Sequence, residues 1–370
     1  MFYSLQKVSK MYLTQDFDPI WSSSQLKEAS TSGQLPALEK NQEKSPSPRG
    51  FSAETIGAVG QKLGFLQAPQ RPLVYSIFVT KGGVLKTSLA LNLARLAALH
   101  NIKTLVIGLD MQCDITHALG YQGPEEDGIG ENSHSSAIED LVAQMDQTQG
   151  LFDFFSGQTA LENLIEPSDL PQLDFIPETP ELVALEQGLT HRSRREYWLA
   201  EKVISPLTEL GYQLIVLDCS PNWNHLITNA LVASDVLLSP LECKINNFRN
   251  FRMFRSFVEE FRSEMGLDFE QIYIPSRLSP ARKLSRDIHQ WYLDRIPNCS
   301  PLAIQESLQG EEATALHLSL AEYAPGHPAA RQMNSIIEKV WRPKAKSAKT
   351  SKASASGARS RRKTYGTLSV

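Results

Sequence analysis

From Leu73 onward, short apolar runs alternate with stretches of helical periodicity. The runs are LVYSIFV, KTLVIG, LDFIP, YQLIVLD, DVLLSP and QIYIPS, beginning at residues 73, 103, 173, 212, 235 and 271. Continuous apolar strands separated by helices are the pattern of a parallel sheet covered on both faces. After the first run, Leu89, Leu93 and Leu96 repeat along one helical face. The pattern predicts a doubly wound α/β domain with a mostly parallel sheet over residues 71–342. Ahead of it, Ile56, Val59 and Leu63 fall at i, i+3 and i+7 behind Ser52, a short helix with a capping residue. The stretch LPALEKNQEKSPSPRG, from residue 35, reads as a flexible linker. Residues 1–70 are therefore expected to form a mostly helical extension, and 343–370 a disordered basic tail.

Composition narrows the function classes. At 370 residues, 41% hydrophobic and 21% charged, the chain is of ordinary globular make-up. No apolar run reaches the roughly 18 to 20 residues of a membrane span, and no secretory leader is recognisable, so a cytoplasmic location is expected. The four cysteines, Cys113, Cys219, Cys243 and Cys299, form no CxxC pair, and the histidines show no metal-binding spacing. A GxSxG elbow is absent. Net charge is −4, yet from Pro343 onward there are eight basic residues and no acid. An acidic body with a basic tail is a layout of proteins that touch nucleic acid.

Candidate chemistry sits at the carboxyl end of the first strand, where ligands of α/β sheets bind. The sequence there is KGGVLKTS, residues 81–88. Gly82 and Gly83 let the backbone approach a phosphate, and the amides opening the next helix point at the anion. Lys86 can reach the β and γ phosphates, and Thr87 is placed to ligate Mg²⁺. Asp110 and Asp218 end the second and fourth apolar runs, and Asp218 stands where a carboxylate holds the metal's water shell.

With its second lysine, Lys81, this loop resembles the deviant Walker A motif KGGxxK[ST] of the ParA family. VIGLDMQCDITHALG resembles that family's switch region, and YQLIVLDCSPNWNHLITNALVASDVLLSPLEC its Walker B region. The likeness covers residues 73 to about 341. It implies a P-loop NTPase fold in which ATP and Mg²⁺ are sandwiched in a homodimer and Lys81 reaches the partner's nucleotide. It further implies that Asp110 orients the attacking water and that Lys81, Gly82, Gly83, Val84, Leu85, Lys86, Thr87, Ser88 and Asn229 contact the nucleotide. Three departures stand out: Leu85 replaces the usual glycine, Gly108 the first aspartate of DxD, and Met111 the following proline. A leucine is tolerable at 85 if its φ is negative. Slow hydrolysis is expected.

NNFRNFRMFRSFVEEFR, from residue 246, interleaves Phe248, Phe251, Phe254 and Phe257 with Arg249, Arg252 and Arg255. The aromatic series is expected in the core and the arginines outside. With Arg277, Arg282, Lys283 and Arg286, those arginines are expected to neutralise phosphates of nonspecific DNA. The resemblance adds a centromere-binding partner of ParB type that stimulates hydrolysis, a nucleoid-associated location, and possible operator binding by a helix-turn-helix in residues 1–70. A MinD-like membrane-cycling ATPase is the alternative, disfavoured because the tail has no large apolar face to insert. A nucleotide-binding regulator with little turnover is another.

Overall fold

The computed structural model describes residues 1–12, 20–41, 48–121, 148–245 and 247–342, without the side chains of 247–250. The basic tail lies outside them. The N-terminal segment runs β1 (Phe2–Ser4), α1 (Leu5–Met11), α2 (Ser23–Thr31), β2 (Glu39–Lys40), β3 (Arg49–Ser52) and α3 (Ala53–Leu63). The main elements that follow are β4 (Leu73–Ile77), α4 (Lys86–Leu99), β5 (Thr104–Leu109), α5 (Asp114–Ala118), α6 (Leu151–Ser156), β6 (Glu166–Pro167), β7 (Leu173–Ile176) and α7 (Leu182–Thr190). Then come α8 (Ser205–Glu209), β8 (Leu214–Cys219), α9 (His225–Ala233), β9 (Val236–Glu242), α10 (Asn247–Glu264), β10 (Glu270–Leu278) and α11 (Lys283–Arg295). The described chain closes with β11 (Ile304–Gln305), α12 (Leu308–Ala315), α13 (Leu320–Tyr323) and α14 (Pro328–Val340).

The eight-stranded sheet has the order β11-β10-β9-β4-β8-β5-β7-β6. Every pairing in it is parallel except β6 with β7. Each of the six apolar runs supplies one of its strands. Because β4 lies between β8 and β9, the chain winds first to one side and then to the other, which opens a crevice beyond the carboxyl end of β4. Register sets what meets there: Ile77 pairs with Asp218, and Asp218 with Gly108, one row across three neighbouring strands.

One apolar layer joins Leu89, Leu93, Leu96, Val106 and Val216 to Tyr3, Phe51 and Ile56 of the N-terminal segment. The opposite layer contains Phe78, Ile107, Leu217, Leu231, Phe254 and Tyr292. Helix α3 begins after Ser52 and buries Ile56, Val59 and Leu63, as its spacing predicts. Two expectations need correction. The expected linker carries β2 and β3, which pair with each other and, through β3, with β1 in a three-stranded antiparallel sheet. Helix α4 is buried almost all round rather than on one stripe, because the N-terminal segment covers its outer side: Tyr12 donates to the carbonyl of Leu99 at 2.9 Å.

That cover is pinned by a buried ion pair. Arg95 and Glu322 both have side chains with 0% exposure, and Arg95 Nε lies 2.6 Å from Glu322 Oε2. Arg95 also reaches Asp169 at 2.7 Å, while Tyr3 and Ser319 donate their hydroxyls to Glu322, each at 2.7 Å. Burial alone would raise the Glu322 pKa, but Arg95 and these donors hold it at about 2. A carboxylate held below its ordinary value stabilises the fold above that ordinary value and loses the contribution as pH falls toward 2. Glu322→Ala is therefore expected to cost about 3–5 kcal/mol in urea unfolding at neutral pH, because it strands the Arg95 guanidinium. The cost should shrink as pH drops below about 4; a loss under about 1 kcal/mol at pH 7 would remove this clasp as the anchor.

Candidate functional site

The loop after β4 turns into α4 through two left-handed residues. Gly83 has φ +68, and a Cβ there would meet only the Arg277 Nη1, at 3.8 Å; over Gly82 nothing lies within 4 Å. The backbone is thus open to a ligand from outside. Leu85 has φ +70, so the condition under which a leucine would sit there without strain is not met. The loop needs a left-handed residue immediately before the helix, at a cost of roughly 1–2 kcal/mol for a side chain with a Cβ. Part of that cost is offset because Leu85 packs against the core beneath α4, while Val84 is buried.

Lys86 opens α4, is 8% exposed, and donates from Nζ to the Lys81 carbonyl at 3.1 Å. Burial holds its pKa below the usual lysine value, against the pull of the Asp218 and Asp110 carboxylates. Thr87 and Ser88, half-buried, complete the first turn. The loop residues 81–88 and Asp110 and Asp218 are therefore brought to one place, as the sequence suggested.

Asp218 tests whether a cation fits. It is 2% exposed, and its Oδ1 has no hydrogen-bond partner among the described residues. Burial raises its pKa to about 7, opposed by a hydrogen bond from Thr87 and by Lys86. A buried carboxylate oxygen left without a donor, beside a threonine hydroxyl, is a donor set of the hard oxygen type that Mg²⁺ takes. Asp110 is half-buried at the end of β5; its amide is tied to Glu178 at 3.2 Å and its Oδ1 accepts from Gln112 N at 3.2 Å.

Lys81 lies on the rim. Its ammonium is ion-paired with Glu242, a carboxylate at the end of β9 whose side chain is 5% exposed. Lys244 reaches the same carboxylate at 2.7 Å, and Arg277 comes within 3.9 Å of it. Burial alone would raise the Glu242 pKa, but Lys244 and Lys81 bring it below the ordinary value. Glu242 and Arg277 went unseen as site residues: a glutamate at a strand end has no motif, and Arg277 belonged by sequence to the basic run that follows it.

Asn229, expected to contact the nucleotide, is hydrogen-bonded within the fold. At 1% exposure, it accepts from Leu199 N at 2.9 Å and donates to the Arg195 and His225 carbonyls, both at 2.8 Å. Its amide hydrogens are used in holding residues 195–199 to α9.

The basic residues divide. Arg282, Lys283 and Arg286 are exposed together at the start of α11, and Arg252 is exposed on α10. Arg255 pairs with Glu259 at 2.8 Å and borders a cavity of about 770 Å³ at the amino ends of β9 and β10. The side chains of Arg249 and Phe248 lie outside the described residues. Phe251 and Phe254 are buried, but Phe257 is 50% exposed against Trp223. Steps of three residues rotate by 300°, so the aromatic series drifts off the face and Val258 takes the buried place instead.

The model of a family described as AAA domain matches residues 73–270. The chain is 30% identical to the chromosome partitioning protein ParA of Myxococcus xanthus over 164 residues, 44% of this chain and half of that protein's length. It is 24% identical to the chromosome partitioning protein ParA of Caulobacter vibrioides, over 60% of this chain and 78% of that one. A plasmid partition protein from Borrelia burgdorferi, solved bound to AMPPNP, superposes with a TM-score of 0.53 at 20% identity, over 73% of this chain and 99% of that chain. With its phosphate loop after β4 and its carboxylates at the ends of β5 and β8, the chain belongs to this AAA domain family and is a ParA-type P-loop ATPase.

Proposed function

We propose that the chain is a DNA-partition ATPase whose homodimer closes around Mg-ATP, binds DNA without sequence preference, and releases it when a ParB-type partner stimulates hydrolysis. The observation that carries this reading is the pairing of a complete phosphate loop with the orphaned oxygen of Asp218. In it, the amides from Gly82 to Ser88 cradle the phosphates, Lys86 neutralises the β and γ oxygens, and Thr87 and Asp218 hold Mg²⁺. Bound Mg²⁺ supplies positive charge against the phosphate oxygens. Asp110 orients the attacking water, and Lys81 leaves Glu242 to reach the partner's nucleotide. Catalysis of this kind is positioning and charge stabilisation.

Support for DNA comes from Arg252, Arg282, Lys283 and Arg286, all exposed, with Asp287 the acid beside them, and from the partition proteins named above. Residues 71–342 would form the ATPase body, cytoplasmic and nucleoid-associated, with α1 and α2 of the extension as the pair available to an operator.

Three outcomes test the reading. Lys86→Ala is expected to abolish Mg-dependent binding of labelled ATP, and Lys81→Ala to keep binding but lose ATP-dependent dimerisation in sedimentation; a Lys86→Ala chain that binds ATP as the wild type does would overturn the site. Asp218 titrates near 7 against an ordinary 3.8, so between those values rising pH destabilises the nucleotide-free chain. Over the same window Mg²⁺-nucleotide affinity should rise by about tenfold per pH unit, and Asp218→Asn should flatten that dependence in titration calorimetry. Affinity for random duplex DNA should fall steeply with salt, and the triple change Arg282→Ala, Lys283→Ala and Arg286→Ala should reduce the log–log slope by about 2–3; an unchanged slope would move the DNA elsewhere.

A further inference from the structure

Glu178 is a carboxylate that the phosphate-loop reading leaves without a role. It follows β7, is 4% exposed, and its Cδ lies 2.1 Å from where a Cβ at position 108 would stand. Gly108 is the place where the ParA pattern has the first aspartate of DxD. No side chain can stand there while Glu178 is in position, and the volume is filled by a carboxyl group arriving from the next strand. From this place Glu178 accepts from the Asp110 amide at 3.2 Å, from the Thr116 amide at 3.4 Å and from the Thr116 hydroxyl at 3.2 Å. Its own amide donates to Thr116 Oγ1 at 2.8 Å. One side chain thereby ties the backbone of Asp110 to the first turn of α5.

A packing role alone explains this poorly. Both oxygens are used as acceptors, one toward Asp110 and the other toward Thr116, and the acid is buried within electrostatic reach of Asp218. Burial first, and Asp218 second, raise its pKa to about 8. Glutamine would keep one acceptor oxygen and turn an NH2 donor toward the other set of donors, so it could hold Asp110 or Thr116 but not both. A costly buried acid kept beside a cluster of reacting groups is the signature of a functional one.

We propose that Glu178 is a positioning residue for ATP hydrolysis, placing from β7 a carboxyl group in the space beside position 108 and fixing Asp110 through its main-chain amide. This rests on the ATPase reading above. The geometry is complementary: the space that a side chain at 108 would enter is the space that the Glu178 carboxyl group fills from the neighbouring strand.

The test uses the full chain as wild type, Glu178→Gln, Glu178→Ala and the double variant Gly108→Asp with Glu178→Ala. Both single variants are expected to bind Mg-ADP within about threefold of wild type while kcat falls about 10–100-fold, the size found when a partner of a ligating or reacting group is removed. The double variant, in which an aspartate finds the vacated volume, should recover most of the lost kcat. In nucleotide-free protein, hydrogen exchange at the Asp110 and Thr116 amides should quicken in Glu178→Ala and slow again in the double variant. Wild-type turnover by Glu178→Gln, or a folded double variant that recovers neither kcat nor amide protection, overturns the proposal alone. A wild-type chain that binds Mg-ATP with no turnover overturns the ATPase reading and this proposal with it.

Discussion

At the carboxyl end of β8, Asp218 is buried between apolar strands with one oxygen unanswered by any described residue, and the surrounding elements are ordered about that group. Taking an ionised carboxylate out of water without a partner is so unfavourable that the group shifts its pKa instead, as Asp218 does. Thr87 and Lys86 offset part of that cost, and a bound cation would offset more. Where that cation can sit is decided by register: with Ile77, Asp218 and Gly108 in one row, the loop after β4 and the segment after β5 flank the same carboxylate. Thr87, in the first turn of α4, then meets Asp218 without any further device.

The two loop lysines, five positions apart, are treated in opposite ways. Lys86 is buried and fastened to the loop's own carbonyl. Lys81 is a quarter exposed and rests on Glu242, which Lys244 also holds. Glu242 is itself buried, but a second cation stays behind to neutralise it if Lys81 leaves. An ammonium whose carboxylate keeps another partner is suited to moving away. Lys86, buried at the end of a helix that the Arg95–Glu322 clasp immobilises, is suited to the opposite task.

Much of this was legible before any coordinates. Six apolar runs became six strands of one parallel sheet, and loop 81–88, Asp110 and Asp218 converge as their positions at strand ends required. What the sequence concealed depends on tertiary neighbours. The burial of α4 on its outer side is decided by residues 1–66, whose short strands are too brief for periodicity to announce. The hydrogen bond of the Asn229 amide to the Arg195 carbonyl likewise depends on a segment distant in sequence. The aromatic series on α10 was legible in composition and misread in geometry, because a period of three cannot follow a helix of 3.6. Glu242 and Glu178 had no signal of their own, since each matters only through a residue on another strand.

The departures at 85 and 108 are resolved by different physics. At 85 the backbone requirement is unchanged: the loop still turns through the left-handed region, and leucine bears the strain that glycine would avoid. The remedy is local, since the side chain that creates the strain is also the one that packs on the core. Burying a leucine fully is worth about 1.5–3 kcal/mol, so even partial burial is of the same order as the cost of the angle. At 108 the reverse holds. The backbone there is ordinary strand, open to any residue, and the glycine is required by what stands beside it, because Glu178 already occupies the space. The volume that a side chain at 108 would enter is filled from β7 instead.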